Sequence, residues 1–272
     1  MEHSKPGTWD IAAESFFKCA EMDEPFEEPI NQRLIELARI DTAHTVVDVA
    51  TGIGDPALSV ARRVGPAGRV IATDQSKAML AIAAKRAHER GLTNIQFRQL
   101  DANFFDVPEG TMDAVVCRWG LMFLTDLTGA LGRMRRSLKS RRYLAAATWS
   151  AAEKVPIISL RRSVMRALDV PASPNDPFRL SSAPALEAAA AAAGFDQVAV
   201  TPVIVPYEYS SIDAFVDAQR MAHESRLAVL LPEPGRQAAF WRALGDAAHP
   251  YATADGIVHL PSEVLLLAAR NA

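Results

Sequence analysis

The chain has 272 residues, 49% of them hydrophobic and 22% charged, with a net charge of −3. This is an ordinary globular balance with enough apolar material for one large core. It carries no basic excess to draw the protein to nucleic acid or to an anionic membrane. The longest apolar stretches fall short of the ~20 residues a spanning helix needs, and the N-terminal MEHSKPGTWD lacks an apolar signal core. Cys19 and Cys117 are two thiols far apart in sequence, which suits neither a disulfide framework nor a metal knuckle. The expectation is a cytoplasmic protein with reduced thiols, no metal site, no membrane span and no nucleic-acid partner.

Residues 9–40 read as two helices around a proline-marked break. Trp9, Ala12, Ala13, Phe16, Phe17 and Ala20 share one helical face, and Ile30, Leu34, Leu37 and Ala38 another. Between them runs an acidic connector from Glu21 to Pro29. Such an arm can pack on a sheet, cover a ligand, or do both.

From residue 45 strands and helices alternate. Strands are expected at 45–50, 69–73, 95–100, 112–117 and 143–149, and helices at 56–64, 76–90 and 126–138. Met79, Ile82, Ala83 and Arg86 lie along one side of the second helix. Alternation of this kind predicts a parallel, doubly wound α/β sheet, with ligands outside the carboxyl ends of the strands. After Trp149 the pattern changes. Helices are expected at 155–168, 186–193, 213–231 and 235–248, a stiff loop at 171–177, and strands at 197–209 and 263–269. The division is then an N-terminal arm over 1–40, an α/β core over 41–150, and a remainder over 151–272 that completes the sheet with an antiparallel pair and adds a helical substrate cover.

The distinctive residues gather at the strand ends. TVVDVATGIGDPA (45–57) is a buried strand followed by a turn with Gly52 and Gly54, where backbone can approach a ligand without a Cβ in the way. Helix N–H groups then face that ligand. Asp74 closes the second strand, placed to accept ribose hydroxyls. Asp101 closes the third, and Arg118-Trp119 the fourth. Gly52-x-Gly54-x-x-Ala57 with Asp74 also satisfies a dinucleotide fingerprint. However, the Asp48 carboxylate would repel a pyrophosphate and suits a ligand bearing an amino group.

VVDVATGIGDPAL, VIATDQSKAMLAIA, FRQLDANFF, FDVPEGTMDAVVCRWGLMFL, LGRMRRSLK and YLAAATW, in this order and spacing, resemble a bacterial class I S-adenosylmethionine (SAM) methyltransferase of the menaquinone/ubiquinone type over residues 40–150. The resemblance implies a Rossmann-like fold and SAM as cofactor. It puts Asp48, Ala50, Thr51, Gly52 and Gly54 around the methionine moiety, Asp74 and Gln75 on the ribose, Asp101, Ala102 and Asn103 on the adenine, and Arg118 and Trp119 beside the sulfonium. Lys139-Ser140-Arg141-Arg142 stands where that family usually has a Pro-Gly-Gly turn.

The implied reaction is methyl transfer to an O, C or N atom of a small apolar or aromatic acceptor, with a homodimer admitted. A proton acceptor is less legible. His223 is ranked first, ahead of His249, Tyr207 and Tyr209. The π face of Trp119 is a candidate to meet a sulfonium. The basic run Arg133, Arg135, Arg136, Lys139, Arg141 and Arg142 reads as a solvated helix end. Two rivals stand beside this reading: a SAM-binding protein of the same fold with non-methylating chemistry, and an NAD-dependent oxidoreductase. The chain has no Tyr-x-x-x-Lys pair to support the latter.

Overall fold

The computed structural model describes residues 8–171 and 175–272; part of the expected 171–177 loop and the first seven residues lie outside that description. A seven-stranded sheet has the order β3-β2-β1-β4-β5-β7-β6. Its strands are β1 (Thr45–Val49), β2 (Arg69–Asp74), β3 (Ile95–Gln99), β4 (Met112–Arg118), β5 (Leu138–Trp149), β6 (Asp196–Tyr209) and β7 (Val258–Arg270). The first five pair in parallel, and β7 runs antiparallel to both β5 and β6. Strand alternation divides the core between the two faces. Val46, Val70, Ala114, Val116, Ala145 and Ala147 point to one cluster, while Val47, Val49, Val115, Cys117, Leu144 and Ala146 point to the other. Both faces are therefore covered, as a parallel sheet requires.

The helices are α1 (Thr8–Leu37), α2 (Ala57–Val64), α3 (Lys77–Glu89), α4 (Leu127–Ser137), α5 (Pro156–Ala167), α6 (Ala183–Ala192), α7 (Ile212–Leu230) and α8 (Pro234–Ala248). Helix α2 ends at Gly65, whose φ of 67° and N–H bond to the Ala61 carbonyl make the expected glycine stop. Helix α3 is capped by the Ser76 hydroxyl, which accepts from Met79 N.

Two expectations are corrected. The N-terminal arm is one helix of 30 residues, not two, and it contains both Pro25 and Pro29. Each proline removes one helical N–H bond. They stand four residues apart, both exposed, so the two defects stack on the solvent side, where water satisfies the freed carbonyls. The inward side continues unbroken through Ile30, Leu34, Ile35 and Ala38 into the core.

Residues 139–142 are also not a turn. They extend β5 backwards, with Arg141 at φ 62° and a register shift against β4 between Met112 and Ala114. The buried Asp113 carboxylate organises this extension. It accepts from Thr45 N at 3.0 Å and lies 2.9 Å from Lys139 and 3.1 Å from Arg142. Despite burial, these donors and cations hold its pKa below the usual carboxylate value. Three more members of the basic run are engaged as well. Arg133 donates to the Asn103 carbonyl, Arg135 to Asn271 Oδ1 at 3.0 Å, and Arg136 pairs with Glu109 at 2.9 Å. The run is thus an internal tie between α4, β5 and the chain end, not a solvated helix terminus.

Candidate cofactor and acceptor site

The turn after β1 combines three left-handed residues: Ala50 (φ 57°), Gly52 (φ 56°) and Gly54 (φ 111°). A Cβ at Gly52 would meet nothing within 4 Å, so that position is open toward the ligand edge. A Cβ at Gly54 would press on Leu58 and Ala83 at 3.2–3.3 Å, so glycine there lets α2 and α3 close on the turn. Ala50 holds its conformation without glycine's freedom, at a cost of roughly 1–2 kcal/mol. The turn is tied to β2 by Thr51 N, which donates to the Thr73 carbonyl at 2.8 Å.

Asp48 leads into this turn and is fully buried. Its Oδ2 accepts from Ala57 N at 3.0 Å, anchoring the start of α2, while Oδ1 has no partner among the described residues. Burial pushes its pKa up to about 7. Asp74, 8% exposed, does reach the edge. Its oxygens accept from Gly52 N and Ser76 N, each at 2.9 Å, so the carboxylate is fixed between the glycine turn and the start of α3. Each oxygen keeps acceptor capacity for a ligand hydroxyl. Gln75 is exposed beside it, and its carbonyl accepts from Gln99 at 2.9 Å.

Asp101 Oδ1 caps a short 3-10 turn by accepting from Asn103 N and Nδ2, both at 2.9 Å, with Ala102 between them. Asn103 Oδ1 in turn accepts from Thr125 N and Oγ1. The ends of β1, β2 and β3 are therefore joined into one edge on which the sequence-selected residues meet.

Arg118 and Trp119 close β4 as expected, but with a different partnership. Trp119 adopts φ 54°, stacks on Trp149 at 4.6 Å with planes 6° apart, and carries the Arg118 guanidinium 4.5 Å from its ring centroid. The cation on its ring is thus a residue of this chain. Arg118, 8% exposed, pairs with Glu27 of α1 at 3.0 Å; its Nε and Nη1, and Trp119 Nε1, are buried without partners among the described residues.

These groups face a cavity of about 90 Å³ between α1 and the strand ends. Asp23, Glu24, Glu27 and Glu28 line it from α1, with Asp55 and Ile53 from the turn. Asn31 adds a buried Oδ1 with no partner. Burial lifts the Asp23 pKa to about 6 and the Glu27 pKa to about 7, against the opposing pull of Arg118. Tyr207 and Tyr209 lie beneath α1, with ring centroids 5.2 and 6.4 Å from Phe26; burial raises both phenols above their ordinary range.

Sequence reasoning missed the α1 carboxylates, which read as an acidic connector. It also missed Arg86, which donates to the Ile53 carbonyl at 2.7 Å and pairs with Asp55 at 2.5 Å, clamping the glycine turn from α3. A clue was available: Arg86 shares the apolar side of that helix with Met79 and Ala83. His223 sits elsewhere. It lines a cleft among α5, α7 and α8 with Arg161 and Arg226, and that cleft shares no lining residue with the cavity beside Arg118.

Residues 46–141 match the methyltransferase domain family. With the strand order and the edge just described, this stretch has the sequence pattern and the fold of a class I SAM-dependent methyltransferase domain. Among individual relatives, the ubiquinone/menaquinone biosynthesis C-methyltransferase UbiE of Cellvibrio japonicus is 40% identical over 106 residues, covering 39% of this chain and 43% of that protein. The similarity thus spans less than half the length of that curated relative. The YcgJ protein of Bacillus subtilis superposes with a TM-score of 0.61 at 19% identity, over 89% of this chain and 97% of its own. The [4+2]-cyclase SpnF superposes with a TM-score of 0.58 at 24% identity, over 89% and 80%. Both likenesses speak to the fold alone. Among the described residues, no helix is long and apolar enough to cross a membrane.

Proposed function

We propose that the protein transfers a methyl group from SAM to a small aromatic acceptor, at a ring carbon of a quinone-precursor type or at an attached O or N. The observation that carries this reading is the coincidence of the matched stretch with an intact ligand edge: the turn is open at Gly52, and Asp74 is fixed against it by two backbone donors. Ala50, Thr51, Gly52 and Gly54 would hold the methionine moiety, with Asp48 bracing the turn. Asp74 and Gln75 would take the ribose, and Asp101, Ala102 and Asn103 the adenine. Arg118 and Trp119 would flank the sulfonium end. The unpartnered polar atoms of Thr51, Arg118 and Trp119 fit a ligand with polar groups of its own.

When bound, SAM supplies an electrophilic methyl group, so the protein's task is to position the acceptor, exclude water and receive a proton. Positioning of this kind is worth roughly 7–11 kcal/mol. The cavity under α1 suits the rest. Asp23 and Glu27, with pKa values near neutrality, are placed to take the proton an acceptor loses as it is methylated. A cavity of about 90 Å³ is well below the roughly 300 Å³ at which small-molecule pockets begin, so we read α1 as a cover that moves aside to admit ligands.

The test is calorimetric titration of S-adenosylhomocysteine and, separately, NADH into wild type and Asp74→Ala, followed by labelled-methyl SAM with hydroquinone acceptors. Homocysteine-nucleoside binding that Asp74→Ala weakens, with that nucleoside formed in step with methylated product, is the expected result. Binding of NADH alone would end the methyltransferase reading. Tight binding without methylated product would favour the non-methylating reading.

A further inference from the structure

The cleft that contains His223 has a charge arrangement unlike any other part of the cover. Arg161 enters from α5, His223 and Arg226 from α7, and no carboxylate lines it. Two other arginines of the same helices are paired: Arg162 with Asp176 at 3.3 Å and Arg220 with Asp217 at 3.6 Å. Arg161 and Arg226 form no ion pair among the described residues, and Arg161 Nε is shielded from water without a hydrogen-bond partner. Burial and the Arg226 charge push the Arg161 pKa down to about 10, and burial with Arg161 and Arg226 drives His223 well below its ordinary value.

An isolated protein gains nothing by gathering two guanidinium groups and an imidazole around one narrow cleft. Like charges repel there, and a shielded donor is left unmade. A planar oxyanion reverses both terms, because guanidinium forks match carboxylate or phosphate oxygens in pairs. Met165, Leu227, Leu230 and Phe240 make up the remainder of the lining, and the cleft holds only about 10 Å³ as it stands, so an apolar body would enter only as these side chains part.

We propose that the Arg161–His223–Arg226 cleft is a binding site for an organic oxyanion, a carboxylate or phosphate carried on an apolar body, separate from the cavity beside Arg118. Occupancy places an anion between the two arginines and favours protonation of His223, which then donates a third hydrogen bond. This inference is independent of the methyl-transfer reading.

The test uses octanoate, octyl phosphate, acetate and inorganic phosphate, titrated into the full chain by calorimetry and by carbon-edited NMR of the histidine rings, with His223→Gln assigning the resonance. Saturable binding of octanoate or octyl phosphate, at least tenfold tighter than that of its bare anion, is expected, with the His223 ring moving toward its protonated position. The preferred headgroup distinguishes a carboxylate from a phosphate source. Arg161→Gln and Arg226→Gln should each weaken binding about tenfold or more, with circular dichroism melts reporting on the fold. If Arg161→Gln does not fold, Arg226→Gln, at an exposed position, decides. No saturable binding, binding of equal strength in Arg226→Gln, or binding that leaves the His223 resonance in place would each overturn the proposal.

Discussion

The ligand edge and the helical cover solve the problem of charge in opposite ways. At the edge, carboxylates are held by backbone donors: buried Asp48 by Ala57 N and Asp74 by Gly52 N and Ser76 N, and half-buried Asp101 by Asn103 N. Each is a short-range bond within or between strand ends, so the charge fixes the shape of the chain. In the cover, Arg161 and Arg226 have no such partners, and charge there remains available to something else. The glycine turn and Asp74 form a braced framework, whereas Arg161 and Arg226 of the cover form no ion pair among the described residues.

Asp74→Ala is the most severe way to break this contrast. It removes the carboxylate from two backbone N–H groups and from the ligand. With charge-assisted bonds worth roughly 1.5–3 kcal/mol each, affinity for S-adenosylhomocysteine should fall on the order of a hundredfold by calorimetry. Retained affinity would show that the edge is scaffold and not site. Glu27→Ala comes next. It strands the buried Arg118 charge, and breaking such a pair costs roughly 3–5 kcal/mol. Thermal unfolding should reveal the loss, and added SAM should restore part of it. Gly54→Ala forces a Cβ against Leu58 and Ala83 at an unfavourable φ. It should lower stability by about 2 kcal/mol and loosen the cofactor turn, while octanoate binding in the cover stays as in wild type.

A pH series sharpens the comparison without mutating the framework. Asp23 and Glu27 have ordinary values of 3.8 and 4.5 but titrate near 6 and 7 in the folded chain. The native state therefore binds more protons than the unfolded state between about pH 4 and 7, and stability falls as pH rises through that window. Denaturant melts at fixed pH should show this decline, and Asp23→Asn with Glu27→Gln should reduce it, with Asp48, also raised to about 7, keeping the remainder. The smallest effect is expected from Ala50→Gly. It relieves a left-handed alanine but loosens the unfolded chain, for a net gain of about 0.5–1 kcal/mol.

The sheet was readable because its information is local. Apolar runs marked the strands, glycine marked the turn after β1, and Asp74, Asp101 and Arg118 each stand within a residue or two of a strand end. What escaped depended on distant chain. Pro25 and Pro29 signal a break by every local rule, yet both face solvent on a helix whose other side is buried. Lys139 and Arg142 read as a basic helix end because Asp113, their partner, lies some 26 residues earlier. The α1 carboxylates looked solvated until that helix folded back over the strand ends, which also separated His223 from the site it was chosen for.

The anchoring of α1 has one more consequence. Asp10 accepts from Ser76 Oγ at 2.5 Å and Ala78 N at 3.3 Å, at the very start of α3, and Ser76 N is also one of the two donors holding Asp74. The first turns of α1 and the Asp74 carboxylate therefore share a single hinge post, Ser76. A displacement of Asp74 would pull on the same serine that latches the arm, and so on the helix standing over the cavity beside Arg118.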